Sequence, residues 1–471
     1  MLKMLSGMRT FWLFGVSVLL TKGLSLISIP VVARFLSPSD YGRLELVSSF
    51  VEIAGIVLSF GLADSLFRFA SCEADDERRR IAAGLTGSAL LYAVLAGVAL
   101  QGGVWFIAPH LGLQSIATPL AFGLATATFS GLIELPIAWM RFTNRPGRFV
   151  VFAASRSIAQ VAFAIVVLSL GYGVNGMLAA NAVIDLCVAG ALVGLQARET
   201  GVRLDRATFA RAASYGLPLV GGALSMFVLG SCDRWFLAAT VEPSDLGFYG
   251  LAAKLSLLVP LAMQPFGLWW YARRITVLDG PDGLEVSARM VSLGVVLLGV
   301  GVAIARGAAP IFIDAMMPTA YRGAVPYLPW LALVAAMNEM CSLVNVGVYA
   351  AKTAYAVLAI NTVGAMVALT GYVLLVPQQG VFGAIEATIA GQGARLVLFF
   401  LAGRRRAPIN HGWGLIVAVV SIDLVLALTI DHAPGVATRA LLLTVCLVAL
   451  GALGWRVAFT NRPVAFRESL A

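Results

Sequence analysis

A chain of 471 residues that is 60% apolar and only 12% charged cannot be an ordinary water-soluble globular protein. Its formal net charge of +9 is spread over many short polar segments rather than gathered in one patch, which argues against nucleic-acid binding. The five cysteines, Cys72, Cys187, Cys232, Cys341 and Cys446, are odd in number and form no CxxC, so neither a disulfide framework nor a zinc site is expected.

Apolar runs of about 20 residues, each able to cross a hydrocarbon core of ~30 Å, recur from Phe11 almost to the end. The first, 11–33, follows Lys3 and Arg9. It is too long for a signal-peptide core and has no convincing cleavage site, so it is taken as a span. The string "SPSDYG" (Ser37 to Gly42) comes next, with Ser37 suited to an N-cap, Pro38 to the first helical position and Asp40 to the third. Spans 43–69, 82–107, 117–140, 149–170 and 174–195 complete a set of six.

The polar segment from Gln196 to Ser214 carries "VRLDRATFARAA" (Val202 to Ala213), which is either a short interfacial helix or a plain linker. Span 213–238 leads to "EPSDLG" (Glu242 to Gly247), and spans 247–272, 288–309, 326–349, 355–376 and 381–402 follow. Two more, 413–431 and 437–458, close the chain and make fourteen. Loops on the N-terminal side hold runs such as Arg78, Arg79, Arg80 and Arg404, Arg405, Arg406. The opposite loops hold only Arg34, Arg43, Arg322 and Arg439. This bias predicts that both termini are cytoplasmic.

The two PSD strings each follow one apolar run and precede another, and Arg68 and Arg273 share their offset. "GVNGMLAANA" (Gly173 to Ala182) is echoed by "GVFGAIEATIA" (Gly380 to Ala390) at an offset two residues longer, which also pairs Arg145 with Lys352. Spans one to six are therefore duplicated as seven to twelve. Because six is even, the halves are parallel. The expected organisation is an N-terminal lobe 1–196, a cytoplasmic linker 197–212, a second lobe 213–403, and two additional spans with a tail in 404–471.

"ARFLSPSDYG" (Ala33 to Gly42) and "SFGLADSLFRF" (Ser59 to Phe69) resemble the N-terminal signature of polysaccharide-type flippases in the multidrug/oligosaccharidyl-lipid/polysaccharide exporter superfamily. The matching positions are Arg34, Pro38, Asp40, Gly42, Gly61 and Arg68, with Pro243, Asp245 and Gly247 repeating part of them. The resemblance implies an all-α membrane protein of two six-helix lobes in a V, alternating access, and export of a polyprenyl-diphosphate-linked oligosaccharide across the bacterial inner membrane. It also implies, as partners, membrane lipids, a coupling proton or sodium ion, and the polymerase and chain-length machinery of surface polysaccharide synthesis. The two added spans can offer an apolar groove for the polyprenyl tail or simply pack against the lobe. Two departures stand out. Drug exporters of the superfamily commonly carry an acid in span one, where this chain has Lys22, and the arginine-rich first span of peptidoglycan-precursor flippases is missing.

Charges inside the spans are the candidate site, since one at mid-membrane costs roughly 2.5–3.5 kcal/mol. Lys22, Arg156, Arg234, Lys254 and Arg395 are the cations suited to a diphosphate. Glu52, Glu134, Asp185, Asp233, Glu339 and Glu386 serve either ion coupling or pairing, and Asp423 is a further buried acid. Polar stripes at helical spacing accompany them: Glu45, Ser48, Ser49, Glu52 in span two, Asn338, Ser342, Asn345, Tyr349 in span ten, and Thr388, Gln392, Arg395 in span twelve.

An enzyme is not expected. "GYGVNG" (Gly171 to Gly176) fits GxGxxG formally but turns between two spans, and no Walker A string occurs. His110, His411 and His432 lie in separate loops, so no metal or other cofactor is expected. The alternative reading is a cation-coupled multidrug exporter. A polysaccharide polymerase or ligase is less favoured, because the longest outer loop, around Pro310 to Pro326, is short.

Overall fold

The structure, a computed structural model, describes residue 23 and residues 27–459 apart from 72, 108–109, 111, 351–354, 406, 411, 431 and 434. Lys22, most of the expected span 11–33, Cys72, Lys352 and His411 lie outside the described residues. Among the described residues all regular structure is helical, and 13 helical stretches are long and apolar enough to cross a membrane. Only helices satisfy every backbone group within their own segment when water is absent, which is why long apolar runs fold this way.

The end of the first span is helical over 27–35 (α1). Helix α2 (Pro38–Ser59) starts at Ser37, whose Oγ accepts the Asp40 N–H at 3.1 Å and donates to Asp40 Oδ2 at 2.7 Å. Pro38 occupies the first turn, where its missing N–H costs nothing. The expected second span then breaks. Phe60 (φ 45°) and Gly61 (φ 64°) are both left-handed, and α3 (Leu62–Ala70) restarts beyond them. The Tyr92 hydroxyl donates to the Val57 carbonyl at 3.1 Å, satisfying an acceptor near the break.

Helices α4 (Asp75–Phe106), α5 (Ala117–Phe142), α6 (Pro146–Ser169) and α7 (Gly173–Thr200) follow. Leu62, Leu66, Leu85, Leu135 and Trp139 form a buried cluster that joins α3, α4 and α5. Asp205 then caps α8 (Arg206–Gly230), accepting the Ala207 N–H at 3.0 Å and the Thr208 hydroxyl at 2.6 Å. Those two bonds hold its carboxyl below the ordinary aspartate range. The second half of "VRLDRATFARAA" is thus the start of a long helix, not a separate interfacial one.

The chain divides into two compact units, 1–227 and 228–471, and the division falls inside α8. Early α8 belongs with the first unit for a packing reason. Phe209 stacks on Phe60, and Gly216 lies against the α2–α3 break. A β-carbon added at Gly216 would sit 2.2 Å from the Phe60 carbonyl oxygen, and one at Gly61 would sit 2.9 Å from Gly216 Cα. Gly216→Ala is therefore expected to destabilise the chain by about 1–3 kcal/mol through overpacking against rigid backbone. Gly221→Ala in the same helix, where the added methyl meets nothing within 4 Å, is expected to be neutral or slightly stabilising. Thermal unfolding of the two purified variants beside the parent checks the pair, and equal melting of all three would contradict it.

In the second unit α9 (Asp233–Thr240), α10 (Pro243–Ser256), α11 (Leu258–Trp270) and the short α12 (Arg274–Leu278) precede α13 (Gly283–Met316). Helix α14 (Leu328–Val344), α15 (Val346–Tyr349), α16 (Tyr355–Gln379) and α17 (Val381–Arg404) come next, then α18 (Trp413–Ile430) and α19 (Gly435–Phe459). The element order repeats that of the first unit. A PSD-started helix breaks and restarts in both (α2–α3, α10–α11), a very long helix follows (α4, α13), and 3-10 turns at Gln114–Ile116 and Thr319–Tyr327 precede α5 and α14. The paired helices α6–α7 and α16–α17 then close each repeat. Val259, Met263, Val291, Val295 and Leu343 form the core of the second unit, and Val419 and Leu450 tie α18 and α19 to it. Only 11% of the most apolar stretch of α19 is buried and 6% of that of α6, so their outward leucines and valines suit lipid rather than water.

Candidate functional site

In the first unit, Arg156 of α6 meets Asp185 of α7. The guanidinium donates through Nε to Oδ1 and through Nη2 to Oδ2, both at 2.7 Å, a two-pronged contact. Ser130 of α5 donates to Asp185 Oδ2 at 2.8 Å and accepts from Arg156 at 2.7 Å, while Gln160 donates to Oδ1 at 3.0 Å. Asp185 is fully buried and the Arg156 side chain is 29% exposed. Two residues singled out separately in the sequence thus form one four-membered network. Glu134 and Glu52 lie on exposed faces of α5 and α2, as does Arg68 on α3.

Among the described residues the second unit holds three buried arginines, two of which, Arg234 and Arg395, have contrasting partners. Arg234 donates to Asp233 Oδ1 at 2.9 Å and to the Gly230 carbonyl at 2.7 Å. This pair occupies the interruption between α8 and α9, where the arginine satisfies a carbonyl freed by the break. Tyr249 of α10 donates a short hydrogen bond to Asp233 Oδ2, and its ring lies 5.7 Å from the Arg234 guanidinium. Tyr372 of α16 bonds Thr388 at 2.8 Å and the Val228 carbonyl at 3.2 Å close by.

Arg395 of α17 is only 5% exposed, yet no carboxylate among the described residues lies within ion-pair distance. Carboxamides surround it instead: Asn361 of α16 and Asn338 of α14 accept at 3.1 Å each, and Gln392 accepts at 2.5 Å. Its stem runs over Gly364, where any β-carbon would sit 2.2 Å from Arg395 Cγ. Neutral carboxamides satisfy the donors without cancelling the charge. Lys254 and Glu339 are half-buried, and Glu386 is exposed at the start of α17.

Arg274 falls between the expected spans 247–272 and 288–309, but it is folded inward. It donates to Asn345 Oδ1 at 2.7 Å and to the Ser342 carbonyl at 3.2 Å, with the rings of Tyr349 and Tyr271 at 4.5 and 5.0 Å. Burial draws its pKa below the usual arginine value. The aromatic run "WWYARR" (Trp269 to Arg274) was the available signal, because stacked guanidinium groups tolerate burial better than ammonium groups. Asn361 and Tyr249, polar groups inside apolar runs, were also missed.

An apolar groove of about 670 Å³ runs among α13, α14, α17 and α18. Leu298, Trp330, Met340, Val397 and Val420 line it, with Arg306 and Asp423 as its charged members. Leu396 and Val397, which follow Arg395 in the chain, belong to its wall. Among the described residues no three His, Cys, Asp or Glu side chains are grouped to hold a metal ion.

These features define a polytopic, internally repeated helical membrane protein with charged networks inside its spans. Its fold is that of flippases and multidrug transporters. A structure described as the lipid II flippase MurJ in an inward closed conformation aligns over 98% of this chain and 100% of its own, with a TM-score of 0.74 at 12% identity. An inward-facing multidrug resistance transporter of the MATE family aligns over 82% and 94%, with a TM-score of 0.58 at 14% identity. A MOP-superfamily transporter from Pyrococcus furiosus aligns over 85% and 96%, with a TM-score of 0.51 at 13% identity. No curated protein matches the chain in sequence. Residues 8–268, more than half the chain, match the family model described as polysaccharide biosynthesis protein, and the chain belongs to that family.

Proposed function

We propose that this chain is a flippase that carries a polyprenyl-diphosphate-linked oligosaccharide across the bacterial inner membrane by alternating access, supplying surface polysaccharide assembly. The observation that carries the reading is Arg395, a buried guanidinium without a carboxylate partner among the described residues, next in sequence to the wall of an apolar groove. An uncompensated charge at membrane depth is kept only where it has work, and a diphosphate offers the matching anion. The groove suits a prenyl chain by close packing against its apolar lining, since leaving lipid tails carries no hydrophobic gain of its own.

Lys22 and Lys254 are further cations for the diphosphate. Arg156 and Arg234, each held by its own aspartate, set helix positions and meet the anion only when those pairs open. Glu52, Glu134, Glu339 and Glu386 are the candidates for proton or sodium coupling. Both termini are cytoplasmic, the repeated six-helix lobes are 1–196 and 213–403, and no chemical step is catalysed. Polymerase and chain-length proteins receive the flipped unit. The likeness in fold to multidrug transporters favours drug export as the second reading.

Deleting the gene distinguishes the two. Loss of a surface polysaccharide, with its lipid-linked unit accumulating on the inner leaflet and drug tolerance unchanged, is expected. Intact polysaccharide with a broad drop in drug tolerance would replace the flippase with the exporter.

A further inference from the structure

Away from these intramembrane networks, the first unit has a basic cavity of about 660 Å³ where α4 and α6 begin and α5 and α7 end. Four guanidinium groups line it, those of Arg78, Arg79, Arg145 and Arg148, against two carboxylates, Asp75 and Glu199. Glu199 is shared: Arg145 approaches it at 2.5 Å, Arg148 at 2.9 Å, and the Trp139 indole N–H donates to it at 3.2 Å. Arg78 pairs with Asp75 at 3.0 Å and donates to the Ala70 carbonyl at 3.2 Å. Arg79 is exposed and has no ion-pair partner among the described residues.

The cavity therefore has two more cations than anions, and every carboxylate on its wall is already engaged. Simple solvation of a basic face would spread these side chains outward. Here Arg145 and Arg148 converge on one carboxylate and Arg78 is tethered to backbone, so the guanidinium groups are held around a concavity. Trp139 and Phe142 supply apolar walls, and the site lies at the ends of four spans, the level of lipid headgroups. Planar guanidinium groups clustered in this way match the oxygens of a phosphate.

We propose that this cavity binds a phosphate-bearing anion, with Arg79, unpaired among the described residues, turning toward it and Arg148 exchanging its Glu199 contact for the anion. The phosphate of an anionic membrane lipid and free inorganic phosphate share the chemistry. The site depends on the membrane-spanning fold and not on the transported substrate, so it stands or falls independently of the flippase reading.

The test uses the full chain in nanodiscs of phosphatidylcholine alone or with phosphatidylglycerol. Lipid retention is read by native mass spectrometry and inorganic phosphate binding by calorimetry. The variants are Arg79→Gln and Arg79→Gln/Arg148→Gln, with Arg80→Gln as control because Arg80 pairs with Glu77 and does not line the cavity. Affinity should fall roughly fivefold for each guanidinium removed, and Arg80→Gln should bind as the parent does. A loss confined to phosphatidylglycerol retention identifies a lipid headgroup, and a loss confined to inorganic phosphate binding identifies the soluble anion. Arg79→Gln removes no ion pair, so it keeps the test valid if the double variant is poorly folded. If Arg79→Gln and the double variant both bind phosphatidylglycerol and phosphate as the parent does, the cavity is not an anion site.

Discussion

Arg156→Ala should sharply lower the amount of folded protein in the membrane, and adding Asp185→Asn should restore most of it. The alanine change leaves a fully buried carboxylate with only the Ser130 hydroxyl and the Gln160 amide for company. Breaking one side of a buried pair costs about 3–5 kcal/mol, comparable with the whole stability of many domains. Asparagine at position 185 removes the stranded charge, its one oxygen accepts from Gln160 while its NH2 donates to the Ser130 hydroxyl, and so it relieves that cost. Membrane abundance and thermal unfolding of the single and double variants measure the effect. Normal abundance of Arg156→Ala alone would mean that the pair holds nothing together.

The opposite pattern is expected at Arg395. Arg395→Gln should leave abundance close to normal yet reduce transport at least about tenfold, in line with the ~1.5–3 kcal/mol of a hydrogen bond to a charged group. No carboxylate is stranded, and the new carboxamide has two N–H donors for the oxygens of Asn338, Asn361 and Gln392, so at most two of the three bonds are replaced. The charge is gone. Arg395→Lys keeps the charge but loses the planar fork and should retain part of the activity. Export of the lipid-linked sugar, scored as surface polysaccharide per unit of membrane protein, is the readout. Full export by Arg395→Gln would separate this residue from the anion.

The two arginines were indistinguishable as letters in apolar runs. Each announced a buried cation, because charge within a span is costly in any neighbourhood. Whether that cation meets an acid depends on which helix face it meets. Asp185 lies 29 residues from Arg156 and on the next helix, whereas the partners of Arg395 come from α14 and α16 as well as from its own turn. Adjacent Asp233 and Arg234 were legible as a candidate pair, but the Tyr249 hydroxyl that completes it comes from another helix.

What the sequence determined by itself was whatever depends on short-range chemistry. Runs of apolar residues long enough for a bilayer dictate helices, because no other open structure satisfies its backbone in hydrocarbon. Ser37, Pro38 and Asp40 dictate the start of α2, since the cap is made within one turn. The duplication was likewise written in the recurrence of its strings. Tertiary structure alone decided the rest. It set the left-handed break at Phe60 and Gly61, held by the close approach of Gly216, and it turned Arg274 from a loop charge into a buried one. It also opened the groove beside Arg395 and the arginine cavity at the ends of α4 to α7. Helical periodicity says which residues share a face, but the neighbour that face meets is chosen by packing over the whole chain.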